Sequence, residues 1–131
     1  MKKIGILNSD ISRVISELGH TDTIVICDSG LPIPAHVKRI DLALKQGVPR
    51  FMDCLATVLQ EMQVEEAIIA LEMEEKSPAL KEEMTSVLEG VTLHEISHEE
   101  FKILTHDAKA IIRTGEFTPY ANVILQAGVI F

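Results

Sequence analysis

The chain has 131 residues, 47% of them hydrophobic and 24% charged, with a formal net charge of −8. That length fits one domain around one sizeable core, and the composition excludes a disordered chain. The acidic balance speaks against a nucleic-acid partner, because neutralising phosphates requires clustered Lys and Arg.

In chain order, NSDISRVISELGH reads as a short helix. Ile11, Val14, Ile15 and Leu18 follow the i, i+3, i+4, i+7 spacing, Ser9 can cap the start and Gly19 can end it. TIVICD (23–28) is a buried strand of β-branched residues. SGLPIPAHVKR, with a glycine and two prolines close together, is a loop, and IDLAL follows as a brief strand. Pro49 opens a helix through Met62 whose inner face is Phe51, Leu55, Val58, Leu59 and Met62. EAIIAL (66–71) is a second buried strand. SPALKEEMTSVLEG is a helix with Ser77 as cap, Pro78 at its first position and Gly90 past its end. VTLHEI is strand-like, and SHEEF starts a short helix with capping-box spacing from Ser97 to Glu100. KAIIRTG (109–115) and NVILQAGVIF (122–131) close the chain as strands.

Alternating helices with strands that are apolar on both faces imply a single α/β domain spanning 1–131. Its β-sheet is expected to be mostly parallel or mixed and flanked by helices, with a short antiparallel edge pair near the C-terminus. The first apolar stretch stops at Leu7, too short for a signal-peptide core, and no run approaches the length of a membrane span. Cys27 and Cys54 lie in apolar segments without C-x-x-C spacing, which reads as buried thiols in a reducing, cytoplasmic setting.

The motifs for nucleotides, phosphate cradles, zinc helices and serine elbows are all missing. The five histidines form no i, i+4 pair on one helix and have no paired cysteines beside them, so no metal site is expected. His20, at a helix-to-strand junction, either caps helix carbonyls or serves as a proton donor, since an imidazole titrates near working pH. Asp28 stands at the carboxyl end of a strand, where open α/β sheets bind ligands, although DSG is also an ordinary turn. His98 opens a short helix and could simply be solvated there. Tyr120 and Asn122 would project to one face if the chain were extended, giving a phenol and a carboxamide for sugar hydroxyls; a turn before a strand is the alternative.

Taken together, LNSDISRVISELGHTDTIVICDSGLPIP, RIDLALKQGVP, EMQVEEAIIA, HEEFK and RTGEFTPYANVIL closely resemble the ribose pyranase / fucose mutarotase family, nearer to its ribose members. The match runs from the first residues to the last and is weakest around KSPALKEEMTSVLEGVTLHEIS. The resemblance implies an isomerase that interconverts β-pyranose and β-furanose forms of D-ribose, feeding furanose to ribokinase. It makes His20 the proton donor and Asp28, His98, Tyr120, Ala121 and Asn122 the sugar-binding positions. It further implies no metal, no organic cofactor and ring-shaped homo-oligomers, typically decamers, in the cytoplasm. Ring-size exchange moves protons but no electrons and breaks no C–H bond, so a positioned His with hydrogen-bonding partners is sufficient equipment.

If residues 23–28 are extended, His20 and Asp28 stand about 20 Å apart, too far to share one pentose. The simplest remedy is a site between subunits. The alternatives to ribose ring exchange are an L-fucose mutarotase-like activity, a non-catalytic ribose-binding accessory of the transporter and, more remotely, a phosphocarrier domain with His20 phosphorylated.

Overall fold

A computed structural model describes residues 1–131. Six strands form one mixed sheet: β1 (Thr23–Cys27), β2 (Lys38–Asp41), β3 (Val64–Ala70), β4 (Thr92–Ile96), β5 (Ala110–Arg113) and β6 (Val123–Ala127), in the spatial order β2-β5-β1-β6-β3-β4. Strands β2, β5 and β1 run parallel, as do β3 and β4, while β6 is antiparallel to both β1 and β3. All of β1 to β5 therefore point one way and β6 alone points back. The expected antiparallel element near the C-terminus is real, but it lies in the middle of the sheet and not at an edge. Its apolar run explains the place: Val123, Ile124 and Leu125 are buried on both faces, which suits a central strand.

Helices α1 (Ser9–Glu17), α2 (Phe51–Leu59), α3 (Met73–Lys76) and α4 (Pro78–Val87) contribute to the larger core, with Ile24, Ile26, Ile69, Ile112 and Leu125. On the other face, α5 (His98–Leu104) and the 29–37 loop cover Val25, Cys27, Ile111 and Ile124 through Phe101, Leu31 and Val37. The sheet is thus sandwiched, and Ile24 to Cys27 are fully buried.

Several element ends differ from the sequence reading. Asn8, one residue before Ser9, caps α1: its side-chain oxygen accepts the Ile11 N–H at 2.9 Å. That helix ends at Leu18 in extended backbone, and the left-handed residue is Thr21 (φ 72°), not Gly19. Helix α2 begins two residues after Pro49 and ends at Leu59, although the Met62 N–H still reaches the Val58 carbonyl. Strand β2 lies earlier than IDLAL because its pairing with β5 starts at Lys38, opposite Ala110. Strand β3 likewise starts earlier, at Val64, and β6 stops at Ala127, leaving Ile130 and Phe131 exposed. Ser77 precedes α4 but makes no cap bond; its buried hydroxyl has no partner. Ser97 does cap α5, accepting the Glu100 N–H. The four-residue helix α3 has no counterpart in the sequence reading.

Both cysteines are buried and unpaired, and burial pushes their thiols up to about 12 for Cys27 and about 11 for Cys54. They stay protonated and act as core filler. No helix is long and apolar enough to cross a membrane.

Candidate active site

Because five strands share one direction, the carboxyl ends of β1, β3, β4 and β5 and the start of β6 meet along one edge of the sheet. Asp28 follows β1, Glu72 follows β3, Ser97 and His98 follow β4, Thr114 follows β5, and Tyr120 to Asn122 lead into β6. A cleft of about 290 Å³ opens there, lined by Asp28, Gly30, Leu31, His98, Pro119 and Tyr120. This is where an open α/β sheet is expected to bind a small ligand.

The side chains around the cleft hold one another. Asp28 Oδ1 accepts the Gly30 and Leu31 N–H groups, each at 2.9 Å, so the DSG turn and the candidate ligand position are the same structure. Asn122 is buried; its Oδ1 accepts the Asp28 N–H at 2.9 Å, and its Nδ2 donates to Asp28 Oδ2 at 3.2 Å. Burial pushes the Asp28 carboxyl up, against the opposing pull of those three donors and of His98. Oδ2 carries one donor and retains acceptor capacity toward the cleft.

The His98 ring stands edge-on to Tyr120 with centroids 5.1 Å apart, and stacks on Phe101 at 6.3 Å. Its buried Nδ1 has no protein partner. A buried polar nitrogen without a partner beside a cleft is a ready contact for a ligand hydroxyl. His98 is therefore not a solvated first-turn residue. Tyr120 sits in a turn at φ 60°, so the extended geometry assumed for positions 120 and 122 does not occur. The two still reach one site, since the Asn122 N–H closes a bond to the Tyr120 carbonyl at 2.8 Å. The Ala121 side chain is buried in the larger core, which leaves only its backbone for a ligand.

Two carboxylates unmarked by any motif organise this edge. Glu72 accepts the His98 N–H with both oxygens, at 3.1 and 3.0 Å, fixing the start of α5. Glu116, buried, accepts the Phe51 N–H and the Thr118 hydroxyl, tying the 114–122 loop to α2. Burial raises its carboxyl, but the N–H and hydroxyl donors outweigh that and leave it below the usual range.

His20 is elsewhere. It precedes β1, at the opposite edge of the sheet, where its Nε2 lies 3.0 Å from both carboxylate oxygens of Glu65 and its side chain is 53% exposed. It makes no bond to the carbonyls of α1; the Leu18 backbone N–H does, to Ile15. Within one chain the structure brings Asp28, His98, Tyr120 and Asn122 together and keeps His20 apart, with the whole of β1 between, about 20 Å.

The family model for the RbsD / FucU transport protein family matches residues 1–130. The chain is 55% identical to a D-ribose pyranase of Coprothermobacter proteolyticus and 58% identical to one of Laribacter hongkongensis, with both chains fully covered in each case. Among solved structures, Bacillus subtilis RbsD complexed with D-ribose superimposes with a TM-score of 0.97 at 53% identity over the full length of both chains. A fucose mutarotase from Streptococcus pneumoniae, in complex with L-fucose, shares the fold at a TM-score of 0.72 and 24% identity, covering 95% of each chain. By the extent of these matches, the chain belongs to the RbsD / FucU family.

Proposed function

We propose that the chain is a D-ribose pyranase, an isomerase that exchanges the six-membered and five-membered ring forms of D-ribose. The observation that carries this is the end-to-end identity with D-ribose pyranases, at 55–58% and without a gap in coverage. The cleft supports it, because Asp28, His98 and Tyr120 bring hydrogen-bonding side chains to it that suit sugar hydroxyls.

The reaction opens a hemiacetal and closes another. The ring oxygen gains a proton while the anomeric hydroxyl loses one, giving the open-chain aldehyde. Attack by the 4-hydroxyl in place of the 5-hydroxyl then gives the furanose, with the proton movements reversed. His20 would give a proton to the pyranose ring oxygen as that ring opens and take one from the 4-hydroxyl as the furanose closes, a contribution of roughly 10²–10⁴-fold. Asp28 accepts a sugar hydroxyl through Oδ2, His98 Nδ1 and the Tyr120 hydroxyl engage others, and Asn122 holds Asp28 in place. Ala121 would contribute only its backbone. Holding the open chain with its 4-hydroxyl against the carbonyl supplies the orientation term.

His20 reaches this cleft from a second copy of the chain. Three observations support the reading: the length of β1 between His20 and Asp28, the exposure of His20, and the exposed apolar side chains Ile4, Leu7, Leu44, Phe117, Ile130 and Phe131, which contact with other copies would cover. A closed ring of subunits, a decamer in the cytoplasm, would repeat that contact around its circumference.

Magnetisation-transfer NMR on equilibrated D-ribose tests the activity. Added protein should speed exchange between pyranose and furanose signals without shifting their populations, and His20→Ala should lose roughly 10²–10⁴-fold of that rate. Exchange no faster with wild-type protein than without it would leave a sugar-binding protein without ring-exchange chemistry. An undiminished acceleration in His20→Ala would take His20 out of the chemistry, and faster exchange with L-fucose would reassign the substrate.

A further inference from the structure

The edge of the sheet that bears His20 contains a device of its own. Strand β3 changes register against β6 there: Val64 pairs with Ala127 and Glu66 with Gln126, so Glu65 is the extra residue of a bulge. A bulge re-aims the side chain it inserts. Here it turns Glu65 toward His20, with both carboxylate oxygens 3.0 Å from Nε2. Gln126, on β6, donates its side-chain N–H to Glu65 Oε1 at 3.0 Å and holds the carboxylate from the other side. Gly128 leaves the room, since a Cβ at that position would lie 3.1 Å from Glu65 Cβ and 3.3 Å from Oε2. Three separate features of the backbone and side chains thus converge on one carboxylate.

We propose that Glu65, braced by Gln126, is a positioning residue that fixes the His20 ring and its tautomer; this rests on the reading of His20 as the proton-transfer group. An ionised carboxylate only accepts, so Nε2 keeps its hydrogen toward Glu65 in both charge states of the ring, and Nδ1 is the nitrogen that gains and loses the proton exchanged with the sugar. The hydrogen bonds from the Gln126 amide and the His20 ring hold the Glu65 carboxyl below its usual range, Gln126 having the larger effect, so it remains an acceptor throughout the working pH range. Glu65 touches no sugar. It acts by holding the ring against rotation and by deciding which nitrogen is bare.

Glu65→Gln gives a specific test, because Gln126 would claim the one remaining oxygen and turn the new amide N–H toward His20 Nε2. The proton would then be forced onto Nδ1, the nitrogen meant to be free. The oligomer as purified is compared as wild type, Glu65→Gln, Glu65→Asp and His20→Ala, by ribose exchange at several concentrations and by 15N spectra of the His20 ring. For Glu65→Gln the expected result is a fall in kcat of about 10-fold or more with KM nearly unchanged, together with a shift of the proton from Nε2 to Nδ1. Glu65→Asp, which keeps an acceptor-only group, should recover part of the rate and the original tautomer. A wild-type kcat in Glu65→Gln overturns the proposal, and so does a slowed variant whose His20 tautomer is unchanged. Full activity in His20→Ala would instead remove the premise, a result distinct from either.

Discussion

Asp28 shows how one residue can serve both a turn and a site. Its Oδ1 closes the turn on Gly30 and Leu31 while its Oδ2 stays with Asn122 at the cleft. Burial has a thermodynamic consequence, for the carboxyl is pushed above the 3.8 of a free aspartate despite those donors. Between the unfolded and folded values the native state binds more protons than the unfolded one, so stability falls as pH rises through that window. Comparing wild type with Asp28→Asn in urea unfolding between about pH 3 and pH 7 should show the wild type losing ground on the variant as pH rises above the ordinary aspartate value. A constant difference across that range would show that Asp28 is not strained by burial. At this scale the sequence disclosed the identity of the cleft residues but not their supports. Glu65, Glu72 and Glu116 look like any of the chain's many acidic residues until the fold brings Gln126, the His98 N–H and the Phe51 N–H to them. No spacing announces partners that lie 26 to 65 positions away in the chain.

At the scale of elements, the two non-glycine residues with positive φ, Thr21 at 72° and Tyr120 at 60°, adjoin His20 and the cleft respectively. A β-branched residue in the left-handed region costs about 1–2 kcal/mol relative to its usual backbone, and such strain persists where the surroundings impose it. The Thr21 N–H donates to the Ala127 carbonyl, and Asp22 receives the Gly19 N–H, so the turn is held from both sides and presents His20 to solvent. Thr21→Asn, which tolerates that conformation better, should raise stability by up to about 1 kcal/mol in chemical unfolding. A loss of stability would mean that the Thr21 methyl or hydroxyl matters more than its backbone. The strands and most helices were legible because buried β-branched runs and i, i+3, i+4 spacing are local signals. The central place of β6 was not, since nothing within VILQA distinguishes a strand that pairs β1 with β3 from one that closes an edge. The turn at Tyr120 was likewise hidden, because tyrosine carries no preference for positive φ.

For the whole molecule, direction is the decisive property. Five strands point one way, which concentrates an acceptor-rich cleft at one edge and leaves the imidazole at the other. On the proposed reading a single chain is two half-sites at opposite ends of β1 and β6, and that reading makes catalysis depend on assembly. Strand length, set beside the roles that the resemblance assigns to His20 and Asp28, made this conflict visible in the sequence. The exposed apolar side chains Leu44, Phe117 and Phe131, which the proposed packing would cover, show themselves only in the folded chain. The most direct test mixes two inactive proteins, His20→Ala and Asp28→Ala, under conditions that exchange subunits, and measures ribose ring exchange. If each site draws its imidazole from one copy and its cleft from another, random mixing in equal amounts should restore about a quarter of the wild-type sites. Oligomers verified to contain both variants yet still inactive would contradict the shared site.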